Sequence, residues 1–271
     1  MSKRVAVAAA NWKMNKTIAE AKAYMAELAE AQADIEGAVE VIVFAPFTML
    51  HKVARGAEAA KAGVGGQDVY WKASGAYTGE VSVPMLKDAG CTHVLVGHSE
   101  RRGRFGVPEP ELAGDLGKVF GDTDASCNIK VKVALEGGLV PCLCVGETLD
   151  EREAGQADPI IAAQLEAGLK DVTAEQVAGM LVAYEPVWSI GTGKVCDADE
   201  AQRICAMIRA TIARLYCQCT ADSVRVLYGG SMKADNVVGL LAKADIDGGL
   251  VGGASLKVPD FKPIIAACAA S

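Results

Sequence analysis

Eight short apolar runs recur along the chain, and helix-like stretches separate many of them. They lie near Val5 to Ala10, Val39 to Ala45, Val64 to Gln67, His93 to Gly97, Leu139 to Val145, Met180 to Tyr184, Val224 to Tyr228 and Ile246 to Val251. Segments such as Thr17 to Ile35, Asp197 to Cys217 and Lys233 to Leu241 are rich in Ala, Leu, Glu and Lys, with apolar residues three and four apart, which is helical spacing. Strands alternating with helices imply a parallel sheet, and closing that sheet on itself removes its unpaired edges. The pattern therefore predicts an α/β fold, a single (β/α)8 barrel of parallel strands with surrounding helices. A length of 271 residues suits one such domain, and no Pro-, Ser- or charge-rich linker divides it, so we read residues 1–271 as a single barrel domain.

If the barrel closes, Asn11, Lys13, Gln67, His98, Glu185, Ser231 and Gly252 all follow strands and converge on the rim where active sites of this fold lie. Polar residues follow strands in any protein, because loops are polar. That reading does not explain why a His, a Lys and a Glu stand after different strands. The run Glu185-Pro186-Val187-Trp188-Ser189-Ile190-Gly191-Thr192-Gly193, followed by Lys194, begins with a carboxylate at a strand end. Pro186 stiffens the backbone beyond it and Gly191 and Gly193 loosen it, which is the make-up of a hinged lid. An exposed acid on an ordinary loop is the bland alternative. In Gly97-His98-Ser99-Glu100-Arg101-Arg102, Ser99 and Glu100 are helix-starting types, so the His98 ring faces the positive end of a short helix and imidazolium is disfavoured. A carboxylate and a neutral imidazole form the pair that proton abstraction beside a carbonyl requires.

Phosphate binding accounts for the glycines. Gly229-Gly230-Ser231 and Gly252-Gly253-Ala254-Ser255 offer bare N–H groups after the seventh and eighth strands, where barrels of this kind often hold phosphate. Either pair alone reads as a turn. Together with Gly191 to Gly193 they form a three-sided cradle.

The stretches Asn11-Trp12-Lys13-Met14-Asn15, Gly97 to Arg102, Tyr184 to Trp188, Ile190 to Lys194, Tyr228 to Ser231 and Val251 to Leu256 occur in the order seen in the triosephosphate isomerase family, which the chain resembles from residue 11 to residue 256. The resemblance implies a TIM barrel and a cofactor-independent aldose-ketose isomerase of glycolysis and gluconeogenesis. Such an enzyme interconverts dihydroxyacetone phosphate and D-glyceraldehyde 3-phosphate through an enediolate. It assigns the base to Glu185 and the neutral electrophile to His98, roles this family is known for. Lys13 and Asn11 would offset negative charge on intermediate and phosphate, and Glu100 would orient the cluster. Asn11, Lys13, Ile190, Gly191, Ser231, Gly252 and Gly253 would bind the phosphorylated triose. The loop Trp71 to Glu80 resembles the one that family members insert into a neighbouring subunit, so a homodimer is expected, with Thr78 near the partner's site. A Schiff-base aldolase would want its Lys near the middle strands. A non-catalytic sugar-phosphate-binding barrel would keep the glycine loops without a base.

Departures from the family pattern are Ala10, Asp68, Ser189 and Met232, where Gly, Asn, Ala and Val are usual. Asp68 is expected to weaken a contact beneath Lys13 or to pair with it, and Ser189 to alter lid hinging. Val107 to Val119 looks inserted, and its Pro108, Glu109, Pro110 and Glu111 favour a solvated start. We expect a surface extension that takes no part in the chemistry, with a lid or subunit contact as the alternative.

Lys and Arg number 27 against 34 Asp and Glu, and this net charge of -7 argues against a nucleic-acid partner. No apolar run is long enough to predict a membrane span, and Met1-Ser2-Lys3-Arg4 begins no recognisable leader, so a cytoplasmic location is expected. The odd number of cysteines, nine, suits reduced thiols. Three histidines and two C-x-C pairs, Cys142 with Cys144 and Cys217 with Cys219, make a metal site unexpected.

Overall fold

The computed structural model describes residues 4–107, 112 and 119–271. Most of the expected extension, residues 108–111 and 113–118, therefore lies outside the described residues. All eight expected runs are strands: β1 Ala6–Asn11, β2 Val39–Ala45, β3 Ala62–Gly66, β4 His93–Val96, β5 Val140–Val145, β6 Leu181–Tyr184, β7 Arg225–Tyr228 and β8 Gly248–Val251. They pair in parallel in chain order and close when β1 meets β8, with Val7 opposite Gly248 and Ala10 opposite Val251.

Side chains alternate across each strand, and this alternation sorts the core into two clusters. Val7, Ala9, Ile42, Phe44, Leu95, Cys142, Leu181 and Leu227 fill the barrel interior. Ala8, Ala10, Val41, Val43, Val94, Val96 and Val182 face outward, where they pack with helical residues such as Leu28, Ile208 and Phe261. The strand β3 starts two residues earlier than its apolar pattern suggests. A side chain at Gly65 would collide with the Phe44 ring, and one at Gly63 would stand 3.0 Å from the His93 ring, so large neighbours use space these glycines leave.

The helix Ile18–Ala33 starts on a Thr17–Glu20 capping box. Residues Lys233 to Asn236, expected as helix, form a turn before the helix Val237–Leu241. There the Asn236 side chain accepts the Lys233 N–H at 2.8 Å and donates to the Ser231 carbonyl at 2.9 Å. No described helix is long and apolar enough to cross a membrane. Cys217 and Cys219 form a disulfide at the start of the helix Gln218–Ser223, which corrects the expectation of nine reduced thiols. The other seven cysteines are free and buried.

Candidate active site

Five strand ends of one rim supply the site. At the end of β1, Asn11 is buried and its side-chain oxygen accepts the Lys13 N–H at 3.0 Å. Lys13 has φ +51°, a left-handed backbone that an L-residue adopts only when its surroundings impose it. Gln67 helps to impose it by donating to the Lys13 carbonyl at 3.0 Å and to the Phe44 carbonyl at 3.2 Å. The Lys13 ammonium projects to the end of β4 and meets Glu100 Oε1 at 2.5 Å.

Beyond β4, Gly97 turns with φ +69°, and a Cβ there would lie 2.6 Å from Cys127 Sγ. His98 caps the 3-10 helix Ser99–Arg102, its Nδ1 accepting the Glu100 N–H at 3.2 Å. Because Nδ1 accepts, the ring proton resides on Nε2. That nitrogen lies 2.8 Å from Glu185 Oε1.

Glu185 follows β6 and is 2 % exposed. Its second oxygen accepts the Ser99 N–H at 2.8 Å, and its own N–H donates to the Val145 carbonyl at 2.8 Å. Burial pushes the Glu185 carboxyl up, but His98, the Ser99 N–H and the nearby Lys13 outweigh it and hold the group below the usual carboxylate range.

The segment after Glu185 is anchored at both ends. At its start, the 3-10 helix Val187–Ser189 is pinned by Trp188 Nε1, which donates to Glu147 Oε1 at 2.7 Å. Tyr184 OH donates to the same oxygen at 3.1 Å, and the Arg152 guanidinium stacks 4.6 Å over the Trp188 ring. Burial raises the Glu147 carboxyl, partly offset by these donors and Arg152. Ser189 Oγ donates to the Pro186 carbonyl at 3.0 Å, a bond that the usual Ala could not make. At the far end, Tyr228 OH donates to the Cys196 carbonyl at 3.3 Å. Gly191 and Gly193 between them have φ +72° and +79°.

Beyond β7 and β8 the backbone comes close to Glu185 and Lys13. A Cβ at Gly229 would stand 3.0 Å from Glu185 Cγ, and one at Gly252 would stand 3.5 Å from Lys13 Cε. The 3-10 helix Gly253–Ser255 follows, fixed by Ser255 Oγ donating to the Val251 carbonyl at 2.8 Å.

These parts enclose a cleft of about 520 Å³ whose lining includes Asn11, Lys13, His98, Glu185, Ile190, Gly191, Ser231, Gly252 and Gly253. Glu100 stands behind the lining and reaches it through Lys13. Asp68 does not form the pairing with Lys13 that is one of its two expected roles. It pairs with Lys130 at 2.6 Å and Arg101 at 2.9 Å rather than with Lys13, whose ammonium Glu100 already holds. Lys130 also meets Asp122 at 2.6 Å, so Asp68 belongs to a buried ion cluster beneath the His98 turn.

Sequence reasoning missed Ser99, Glu147 and Lys233. Ser99 acts through its backbone and leaves no side-chain signal. Glu147 stands two residues beyond β5, a strand-end carboxylate like Glu185, and that pattern would have found it. Lys233 joins the cleft lining from a turn that was read as helix.

A buried carboxylate against an Nε2–H imidazole, with a lysine and glycine-rich loops around one cleft, defines a (β/α)8 enzyme that moves protons on a small anionic substrate. The family model described as triosephosphate isomerase matches residues 6–268. The triosephosphate isomerase of Streptomyces coelicolor is 50% identical over 268 residues, spanning 98% of each chain. That of Symbiobacterium thermophilum is 46% identical over 266 residues, again 98% of each. The crystal structure of triosephosphate isomerase from Bartonella henselae superimposes with a TM-score of 0.81 at 34% identity, covering 97% of this chain and 98% of that one. The chain belongs to the triosephosphate isomerase family.

Proposed function

We propose that the chain interconverts dihydroxyacetone phosphate and D-glyceraldehyde 3-phosphate by proton transfer through an enediolate. The observation that carries this reading is the 2.8 Å contact between His98 Nε2 and Glu185 Oε1 at the wall of the cleft. In the free enzyme both Glu185 oxygens are occupied, one by His98 and one by the Ser99 N–H. A substrate carbonyl oxygen would replace Glu185 as acceptor of the His98 proton and free a carboxylate lone pair beside the carbon acid. Glu185 then takes the carbon-bound proton and His98 polarises the carbonyl. His98 next moves a proton between the two oxygens, and Glu185 returns its proton to the neighbouring carbon.

Lys13 and Asn11 offset the charge that develops on the oxygens and the phosphate, and Glu100 holds the Lys13 ammonium in place. Ile190, Gly191, Ser231, Gly252 and Gly253 take the phosphate with backbone N–H groups and the Ser231 hydroxyl. Closing residues 187–193 excludes water and retains the intermediate. No step here calls on a cofactor. The non-catalytic alternative leaves the buried Glu185–His98 pair without a purpose. A coupled assay with glyceraldehyde 3-phosphate tests the reading: turnover supports it, and tight binding without turnover would favour the binding protein.

A homodimer completes the proposal. Residues 72–80 are exposed, the Tyr77 ring lies tilted against Tyr70 with centroids 4.6 Å apart, and Met14, next to Lys13, is 96 % exposed. A second subunit covering this apolar rim would bring its Thr78 to Asn11 and Lys13. A cytoplasmic location suits the seven buried free thiols, and the Cys217–Cys219 disulfide is the feature that runs against it.

A further inference from the structure

The stem of the 107–119 segment touches the first hinge of the lid. Gly106 lies so close to it that a Cβ would stand 2.5 Å from the Val187 carbonyl oxygen and closer still to that of Ile190. Both carbonyls belong to the turn in which Ile190 N–H donates to Val187 O at 3.1 Å. On the lid side, a Val107 methyl stands 3.9 Å from the position a Cβ would take at Gly191. The two legs of the stem are held together by Phe105 and Phe120, whose rings meet edge to face at 5.4 Å. The same stem is tied to the His98 turn. Arg104 N–H donates to the Ser99 carbonyl at 2.9 Å, and Asp122 N–H donates to the Arg101 carbonyl at 3.0 Å. One short structure thus spans from the turn that holds His98 to the hinge that follows Glu185.

We propose that Phe105, Gly106, Val107 and Phe120 form a positioning element for the lid, with Gly106 as the stop against which the Val187–Ile190 hinge rests. Of these four, only Val107 belongs to the extension expected to take no part in the chemistry; the other three flank it. The inference depends on the proposed reading of residues 187–193 as a cover over an enediolate. An enediolate left uncovered expels its phosphate: the carbon–oxygen bond to the phosphate breaks, the electron pair leaves with inorganic phosphate, and the remaining enol tautomerises to a 2-oxoaldehyde. The fraction of turnovers ending as inorganic phosphate therefore reports how well the lid is seated, and unfolding a share of the molecules does not alter that ratio.

The experiment uses the full chain with Gly106→Ala and Val107→Gly, dihydroxyacetone phosphate as substrate, and parallel assays of kcat, KM and released phosphate. A side chain at residue 106 must displace the hinge. We expect Gly106→Ala to lower kcat at least fivefold and to raise the phosphate-release ratio at least fivefold. Val107→Gly, which removes a half-exposed side chain beside Gly191 and frees the backbone of the stem, is expected to raise the ratio at least twofold. Wild-type kcat and ratio in a folded Gly106→Ala overturn the proposal. If that variant does not fold, an unchanged ratio in Val107→Gly overturns it. A wild-type chain that does not isomerise would instead overturn the functional reading on which the proposal rests.

Discussion

Replacing Lys13 with Met removes one positive charge while keeping most of the side-chain volume, so its effect can be worked from the site. The ammonium is held by Glu100 Oε1 at 2.5 Å, its side chain is 27% exposed, and it lines the cleft opposite Glu185 and His98. A unit charge about 4 Å from the developing oxyanion, at an effective dielectric of about 20, is worth about 4 kcal/mol. Loss of one preorganised donor to an oxyanion costs roughly 3 to 4 kcal/mol in other enzymes. The two figures agree on a fall in kcat/KM of about 10²- to 10³-fold. The substitution also strands Glu100, whose other oxygen lies 3.7 Å from His98 Nδ1, and a stranded carboxylate beside the imidazole would itself disturb proton transfer. The double variant Lys13→Met/Glu100→Gln separates the two causes. We expect it to stay within about threefold of Lys13→Met, because the missing charge dominates. The assays are steady-state isomerisation and the inhibition constant of a phosphate-bearing substrate analogue. Unchanged inhibitor affinity in Lys13→Met, or recovery of the double variant to more than a tenth of wild-type kcat/KM, would refute the assignment.

Glu185→Asp should fold normally and lose most turnover, since the carboxylate retracts by about one carbon–carbon bond from the carbon it must reach; kcat within twofold of wild type would remove Glu185 from the role of base. The lowered Glu185 carboxyl makes a second forecast. A carboxyl with a folded-state pKa below its unfolded value contributes stability above the unfolded pKa and loses it as pH falls through the folded one. The unfolding free energy of wild type minus that of Glu185→Gln should therefore be flat from neutral pH down to the ordinary carboxylate range and fall below it; a difference independent of pH in urea melts across that window would contradict the shift. Asp68→Asn weakens the partners of Lys130 and Arg101 but leaves Lys130 paired with Asp122, so stability should drop by about 1.5 to 3 kcal/mol with kcat within a few-fold. Urea melts showing no loss would place that cluster outside the fold's energetics. Sedimentation should show a dimer at assay concentration, and a fully active monomer would reject the interface role of residues 71–80.

The legible parts of this chain were those where local sequence and tertiary environment agree. Eight strands could be placed because each is covered on the outside by helices and filled on the inside, so its apolar run survives as a pattern. The exception, β3, hides its start in Ala62 and Gly63, and the small size of Gly63 answers to the His93 ring on the neighbouring strand rather than to anything local. Glu185, His98 and Lys13 were legible as residue types at strand ends, but their coupling was not. It runs through the Ser99 N–H, through the left-handed Lys13 backbone that Gln67 stabilises from another strand end, and through Glu100. Asp68 illustrates the same limit. Its charge invited a pairing with Lys13, yet the partner is decided by which cation is left without one, and Lys130, 3 % exposed and flanked by Asp122, needs a second carboxylate more than Lys13 does.

The hinge makes the functional consequence concrete. Pro186 and the two glycines suggested where the backbone could turn, but what fixes the hinge comes from three other elements: Glu147 under Trp188, Tyr228 under Cys196, and Gly106 against Val187 and Ile190. On the proposed reading of residues 187–193 as a lid, seating the same way in every catalytic cycle needs fixed neighbours at both ends. Those neighbours lie far apart in sequence because only closing the barrel brings the ends of β4, β5, β6 and β7 to the same rim.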